Sequence, residues 1–367
     1  MQGHLIMCLV LTCFSHKAES TALSDLRDIT MDWLQDKALG WIPGPPVNKI
    51  DTHHHYVPPF YAEGDPSGWP TPSWTSMRSK LLMKRLGVQT AILSATAPGA
   101  CILKGSESFK LARQLNEFAA DLRDKEPQQF GFFAALPDLL NTEAALAEIA
   151  HSLDILHADG VTLFTRYGDN HTYLGHSSLE PIWAELNRRK CVVFIHPTHP
   201  VDTTMFNPKL PQPALDYPHE TTRCAMDMII SGTKAKYADC KVILSHAGGA
   251  LPYLITRVAT PLRKAPNLVA EHRMGTNYQQ IMDDFRSFYF DLALSSSPHV
   301  LDMALKMIPH DHILYGSDFP YAPITAYPAF LEDLEGYDMS KELRSKINFQ
   351  NAVSLIPRLA QNTSQRL

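Results

Sequence analysis

From residue 46 onward, short runs of apolar and β-branched residues alternate with longer segments of helical spacing. Eight runs read as strands: VNKIDTH (47–53), VQTAILS (88–94), FGFFAAL (130–136), GVTLFT (160–165), CVVFIH (191–196), KVILSH (241–246), FYFDLAL (288–294) and HILYGSD (312–318). They are apolar nearly throughout, the pattern of parallel strands covered on both faces. The intervening segments suit helices. NTEAALAEIAHSLDILHADG offers Asn141 as an N-cap and Gly160 at its exit. LEPIWAELNRRK gathers cations at its C-terminal end, where the helix dipole favours them. Eight such units predict an α/β fold, a closed (β/α)8 TIM barrel over 47–357 with a metal site at the C-terminal face of its strands. An open doubly wound sheet is the alternative, but no G-x-G-x-x-G follows the first strand.

Around the barrel, 21–46 reads as a lead-in ending in GWIPGPPVN, and 358–367 as a C-terminal tail. Two connections are long: 56–78, which includes PPFYAEGDPSGWPTPSW, and 197–222, PTHPVDTTMFNPKLPQPALDYPHETT. Each follows a strand, so in a barrel each lies on the catalytic face as a lid or binding loop. Tyr56, Phe60, Tyr61, Trp69 and Trp74, with Phe319 and Tyr321 after the eighth strand, suit a flat aromatic ligand. The same rings would equally serve to pack the lid.

Polar residues interrupt the apolar runs mainly at their ends. KIDTHHHY places three histidines side by side. On a strand, side chains alternate, so His53 and His55 should share one face with Asp51 while His54 turns away. His196 ends the fifth strand, His246 the sixth and Asp318 the eighth. Strand ends of this kind converge in a barrel, and three imidazoles with one carboxylate form the ligand set of a catalytic divalent ion. His54 is expected to pack behind the strand or hydrogen-bond to the barrel wall, and His199 to be a loop residue near the site. The fourth strand ends in Thr165, Arg166 and Tyr167. It lacks the lysine that bridges two metals in binuclear barrels, so one divalent ion per chain is expected, zinc first and manganese as the alternative. Arg166 and Arg78 are candidate carboxylate clamps.

Composition narrows the partner. The chain has 367 residues, 45% hydrophobic and 19% charged, with net charge −5 and no basic run. That argues against nucleic acid or an anionic membrane and for a small-molecule ligand. The six cysteines show no CxxC spacing and read as reduced thiols. LIMCLVLTCF is too short to span a bilayer. Residues 1–20 resemble a signal segment but carry no Lys or Arg before the apolar run. A cytosolic location is expected, with entry to the secretory pathway as the alternative.

The ordered blocks IDTHHH, FIHPTHP, SHAGGALP and YGSDFPYAP resemble the amidohydrolase superfamily, in particular its aminocarboxymuconate-semialdehyde decarboxylase branch. SGWPTPSW, YLG, ELNRR and GSDFPYAP further resemble the 6-methylsalicylate decarboxylase group. The resemblance covers about residues 46–355. It implies that His53, His55, His196 and Asp318 bind the metal, that His246 is the acid/base or orienting histidine, and that Arg257 binds the substrate carboxylate across a homodimer interface. Unlike the resorcylate decarboxylases, Gly248 and Gly249 leave no acidic partner close after His246. The implied reaction is nonoxidative decarboxylation of a salicylate-type aromatic carboxylic acid, such as 6-methylsalicylate to 3-methylphenol. Protonation of the ring carbon by Asp318 or His246 precedes loss of CO₂. Metal-dependent hydrolysis or hydration of a lactone, ester or amide is the competing reading. A noncatalytic binding barrel would be expected to lack a ligand.

Overall fold

The computed structural model describes residues 48–61, 71–205, 207–264 and 274–364. Eight strands form one sheet: β1 (Lys49–Tyr56), β2 (Val88–Ala95), β3 (Phe130–Ala135), β4 (Gly160–Phe164), β5 (Val192–His196), β6 (Lys241–Leu244), β7 (Tyr289–Asp291) and β8 (Ile313–Leu314). They lie side by side in chain order, and every neighbouring pair is parallel. The last strand returns to the first. Thr52 donates its N–H to the Tyr315 carbonyl at 3.0 Å, His55 to Phe319 at 2.7 Å, and Asp318 donates to His53 at 2.8 Å. The predicted (β/α)8 barrel is the fold.

Buried side chains explain the closure. Ile50, Ile92, Phe133, Phe194, Ile243 and Leu314 fill the barrel from different strands. Leu355, Ile356 and Leu359 join the same cluster from the C-terminal helices. Leu359 belongs to the helix Pro357–Ser364, so the segment expected to be a tail begins as a packed element. Leu359 reaches the cluster across a break, since Ile356 is extended (φ −113°, ψ 100°) between the helices Asn351–Leu355 and Pro357–Ser364. The sequence cues for the third and fourth helices correspond to Thr142–Ala150, capped by the Asn141 side chain on Ala144 N–H, and to Glu180–Arg188.

Two further sequence expectations change. First, β1 carries a bulge. Asp51 pairs with Ala91 but His54 pairs with Leu93, so three steps on one strand match two on the next. The extra residue moves Asp51 to the His54 side, away from His53 and His55. Second, the long connection after β5 is only partly a loop, since Gln212–Ile230 is a helix with Pro213 in its first turn. No described helix is long and apolar enough to cross a membrane. The lead-in 21–46, the signal-like segment 1–20 and Trp69 lie outside the described residues.

Candidate metal centre

Each strand end delivers one part of the centre. His53 and His55 come from β1, His196 from the end of β5, and Asp318 from the turn after β8. Their four ligand atoms lie within 4.8 Å of one another, and all four residues are buried. His53 Nε2 is 3.1 Å from His55 Nε2. Asp318 Oδ1 is 3.3 Å from His53 Nε2 and 3.1 Å from His55 Nε2.

The opposite ring nitrogens decide what this cluster suits. His53 Nδ1 faces Asp291 Oδ2 at 3.0 Å, His55 Nδ1 faces the Ser94 carbonyl at 3.1 Å, and His196 Nδ1 faces the Pro197 carbonyl at 2.7 Å. A carbonyl or carboxylate accepts only, and the Ser94 hydroxyl, 3.0 Å from His55 Nδ1, can accept as well; with the hydrogen on each Nδ1, each Nε2 presents its lone pair inward. Converging lone pairs beside a carboxylate fit a divalent cation. Electrostatics agree. Burial works against charge on His53, yet Asp291 and Asp318 outweigh it and raise its pKa to about 10. Two carboxylates thus favour positive charge at this point. Burial, with the neighbouring imidazoles His55 and His53, lowers His196 well below its usual value. Burial opposes ionisation of Asp318, but the positive charge favoured at His53 and the close imidazoles of His246, His53 and His55 hold it well below the carboxylate range.

His246 stands at the mouth of the cluster. Its Nε2 is 3.2 Å from Asp318 Oδ2, while its buried Nδ1 has no partner among the described residues. Its backbone is fixed by Asp291, whose Oδ1 accepts His246 N–H at 3.1 Å. His246, Ala247 and Asp318 all have positive φ, at 54°, 54° and 65°. Such non-glycine residues cost on the order of 1–3 kcal/mol each and persist where surrounding bonds over-determine them, typically at functional sites. Gly249 follows at φ 62°, and a Cβ there would meet the Pro218 carbonyl at 2.0 Å. Glycine is required at that point for the loop to pass the helix Gln212–Ile230.

A cavity of about 320 Å³ opens over His196, His246 and Asp318. Its other walls are mainly apolar, including Pro211, Ala214, Tyr217, Leu294, Tyr321 and Phe330. Of the residues singled out for ligand contact, Tyr321 lines it. Trp74 and Phe319 do not. Trp74 packs against Tyr56 and Phe118 and donates its indole N–H to Ser79, and Phe319 packs on His54 and Tyr327. Arg166 spends its guanidinium on the carbonyls of Gly168, Asn170, His199 and Pro200 and borders a separate cavity of about 210 Å³. Arg257 lies exposed on the helix Leu251–Lys264, beside Tyr253 and Thr260. His54 lies behind the strand, bonded to Asp51 at 2.9 Å and Ser79 at 2.8 Å. Sequence reasoning passed over Asp291, although an aspartate inside the apolar run FYFDLAL was the available signal. The cavity walls from 211–218 carried none, because residues in a proline-rich connection have no periodicity to aim them.

A family model described as Amidohydrolase matches residues 50–358. The chain belongs to the amidohydrolase family. Among its relatives, the 6-methylsalicylic acid decarboxylase of Penicillium expansum is 48% identical over 85% of this chain and 97% of its own length. That of Aspergillus aculeatus is also 48% identical, over 85% of this chain and 96% of its own. A solved dihydroxybenzoic acid decarboxylase from Polaromonas, with bound manganese and the inhibitor 2-nitroresorcinol, shares this amidohydrolase's fold. Its TM-score is 0.69 at 23% identity, over 84% of this chain and 97% of that one.

Proposed function

We propose that this amidohydrolase is a metal-dependent decarboxylase of a salicylate-type acid, with 6-methylsalicylate as substrate and 3-methylphenol and CO₂ as products. The observation that carries the reading is the inward-facing His53, His55 and His196 Nε2 set with Asp318, at the base of a largely apolar cavity. The decarboxylase relatives at 48% identity support the substrate class. These four residues would hold one divalent ion, zinc by its preference for imidazole, or manganese as in the Polaromonas protein. When bound, that ion supplies electrophilic anchoring for the carboxylate and ortho hydroxyl of a salicylate and favours its phenolate form.

The chain's own groups do the rest. Pro211, Ala214, Leu294 and Phe330 exclude water and offer an apolar wall to the ring and its methyl group. His246, whose Nδ1 has no partner among the described residues, holds the proton that goes to the ring carbon bearing the carboxylate. The C–C bond to that carboxylate then breaks, and its electron pair restores the aromatic ring as CO₂ leaves. Asp318, held anionic, accepts from His246 Nε2 through Oδ2 and keeps the imidazole aimed at the cavity. The described lining contains no Lys or Arg. We assign the second carboxylate contact to Arg257 of a partner copy in a homodimer.

The test is conversion of 6-methylsalicylate by the purified enzyme, with 3-methylphenol followed by chromatography, before and after chelation. Chelator-sensitive product formation is expected. A protein that holds about one metal per chain yet releases no CO₂ from any hydroxybenzoate, while opening a lactone, would overturn the reading.

A further inference from the structure

The middle histidine of the triple points to a device of its own. Asp51 receives four donors. Its Oδ1 accepts His53 N–H at 3.1 Å and Ser317 N–H at 3.0 Å, and its Oδ2 accepts the Ser317 hydroxyl at 2.6 Å and His54 Nδ1 at 2.9 Å. These donors come from two of the three chain segments that carry the proposed ligands. One is β1, with His53 and His55; the other is the turn after β8, where Ser317 precedes Asp318. Behind Asp51 the bonds continue in one direction. The Trp74 indole donates to Ser79 Oγ at 3.0 Å, Ser79 Oγ meets His54 Nε2 at 2.8 Å, and His54 Nδ1 reaches Asp51. Since Asp51 accepts, His54 donates from Nδ1, and its Nε2 must then accept the Ser79 hydroxyl hydrogen. Asp51, His54 and Ser79 are all essentially without solvent contact.

The bulge in β1 makes this arrangement possible. Regular alternation would send Asp51 to the His53 side, into the cluster. The extra residue rotates it to the His54 side, where it bonds the β8 turn instead. The same turn holds Asp318 at φ 65°, a conformation that needs external support.

We infer that Asp51 and His54 are positioning residues. They lock the Asp318 turn to β1 and so fix the spacing between Asp318 and the His53–His55 pair. Trp74, expected at the ligand, contributes here at one remove. The inference rests on the metal-site reading above, and its test separates the two.

The experiment measures divalent-metal affinity of purified full-length variants by competition with a chromogenic chelator, and melting of the metal-free proteins alongside. His55→Ala is the control for the site itself and should not bind stoichiometrically. Asp51→Asn and His54→Leu should still load one ion at saturating metal, but with affinity reduced about 10- to 100-fold, the usual effect of removing a group that orients ligands. His54→Asn retains a donor near the Nδ1 position and should recover most of that affinity. Unchanged binding in His55→Ala would overturn the metal site. Loss in His55→Ala with full affinity in both Asp51→Asn and His54→Leu would overturn only the positioning role. Equal affinity losses in His54→Leu and His54→Asn, each matched by a lower metal-free melting temperature, would also overturn it, because general destabilisation would then account for them.

Discussion

Asp291 grips His53 and His246 with its two oxygens: Oδ2 is 3.0 Å from His53 Nδ1, and Oδ1 accepts His246 N–H at 3.1 Å and Ala293 N–H at 3.0 Å. One carboxylate thereby sets the tautomer of a proposed ligand and the backbone of the proposed proton donor. The two backbone donors fix how an amide would sit in its place. In Asp291→Asn the carbonyl oxygen must stay on the two N–H groups, which turns the amide NH₂ toward His53. His53 Nδ1 would then accept and its hydrogen would move to Nε2, blocking the lone pair. Metal affinity should fall at least 10-fold, toward the upper end of the usual 10- to 100-fold range for such partners. Metal content after dialysis against a weak chelator checks it; full retention would contradict the tautomer argument.

His246 can be separated from metal binding. Its Nδ1 has no partner among the described residues, and its Nε2 reaches Asp318 through Oδ2, the oxygen not directed at His53 and His55. His246→Asn should keep about one metal per chain and lower kcat by roughly 10²- to 10⁴-fold, the usual contribution of a positioned acid. Single-turnover measurements of product formation distinguish this from weakened substrate binding. A variant that keeps near-normal kcat would reassign the proton to another group.

How much of this was legible depends on what each residue's pattern encodes. A parallel strand buried on both faces has few places for polar atoms, so His196 and Asp318 stood out at the ends of VVFIH and ILYGSD. His53 and His55 were legible because one bulge upstream does not disturb the alternation between them. Asp51 was misplaced for that same bulge, which leaves no compositional mark. Trp74, Phe319 and Arg166 show a different limit. Aromatic and basic residues in connections announce a need for packing or charge, but not the direction in which the side chain points. Phe319 turns to His54, whereas Tyr321, two residues later, turns to the cavity.

One pH effect on stability should originate outside the candidate metal centre, at His199. His199 lies by the smaller cavity with Arg166, Lys104 and Asp138. Burial, then the charges of Arg166 and Lys104, push its pKa down to about 4. The unfolded chain, with an ordinary histidine pKa near 6.5, therefore binds more protons than the native state between those values. Stability from this group is fully present above about pH 6.5 and is lost as pH falls toward 4. Urea midpoints measured across that interval should decline less steeply in His199→Asn than in the unaltered protein. Parallel curves would show that His199 titrates alike in both states.

The substrate carboxylate leaves a charge that the visible cavity does not meet with a Lys or Arg. Arg257 is the candidate from outside. It is exposed on the helix Leu251–Lys264 next to Tyr253, which is 72% exposed, and an exposed aromatic beside an arginine is a common composition for a protein interface. If a second copy covers this face and extends Arg257 to the carboxylate, Arg257→Gln should raise KM about 10-fold or more. Metal content should be unchanged, because none of the four proposed ligands lies on that helix. Sedimentation equilibrium should give a dimer at the concentrations used for assay, and activity per chain should fall on dilution below the dimer's dissociation constant. A monomer that retains full activity would require the carboxylate to be bound entirely within one chain, with the metal cluster and His246 carrying the charge alone.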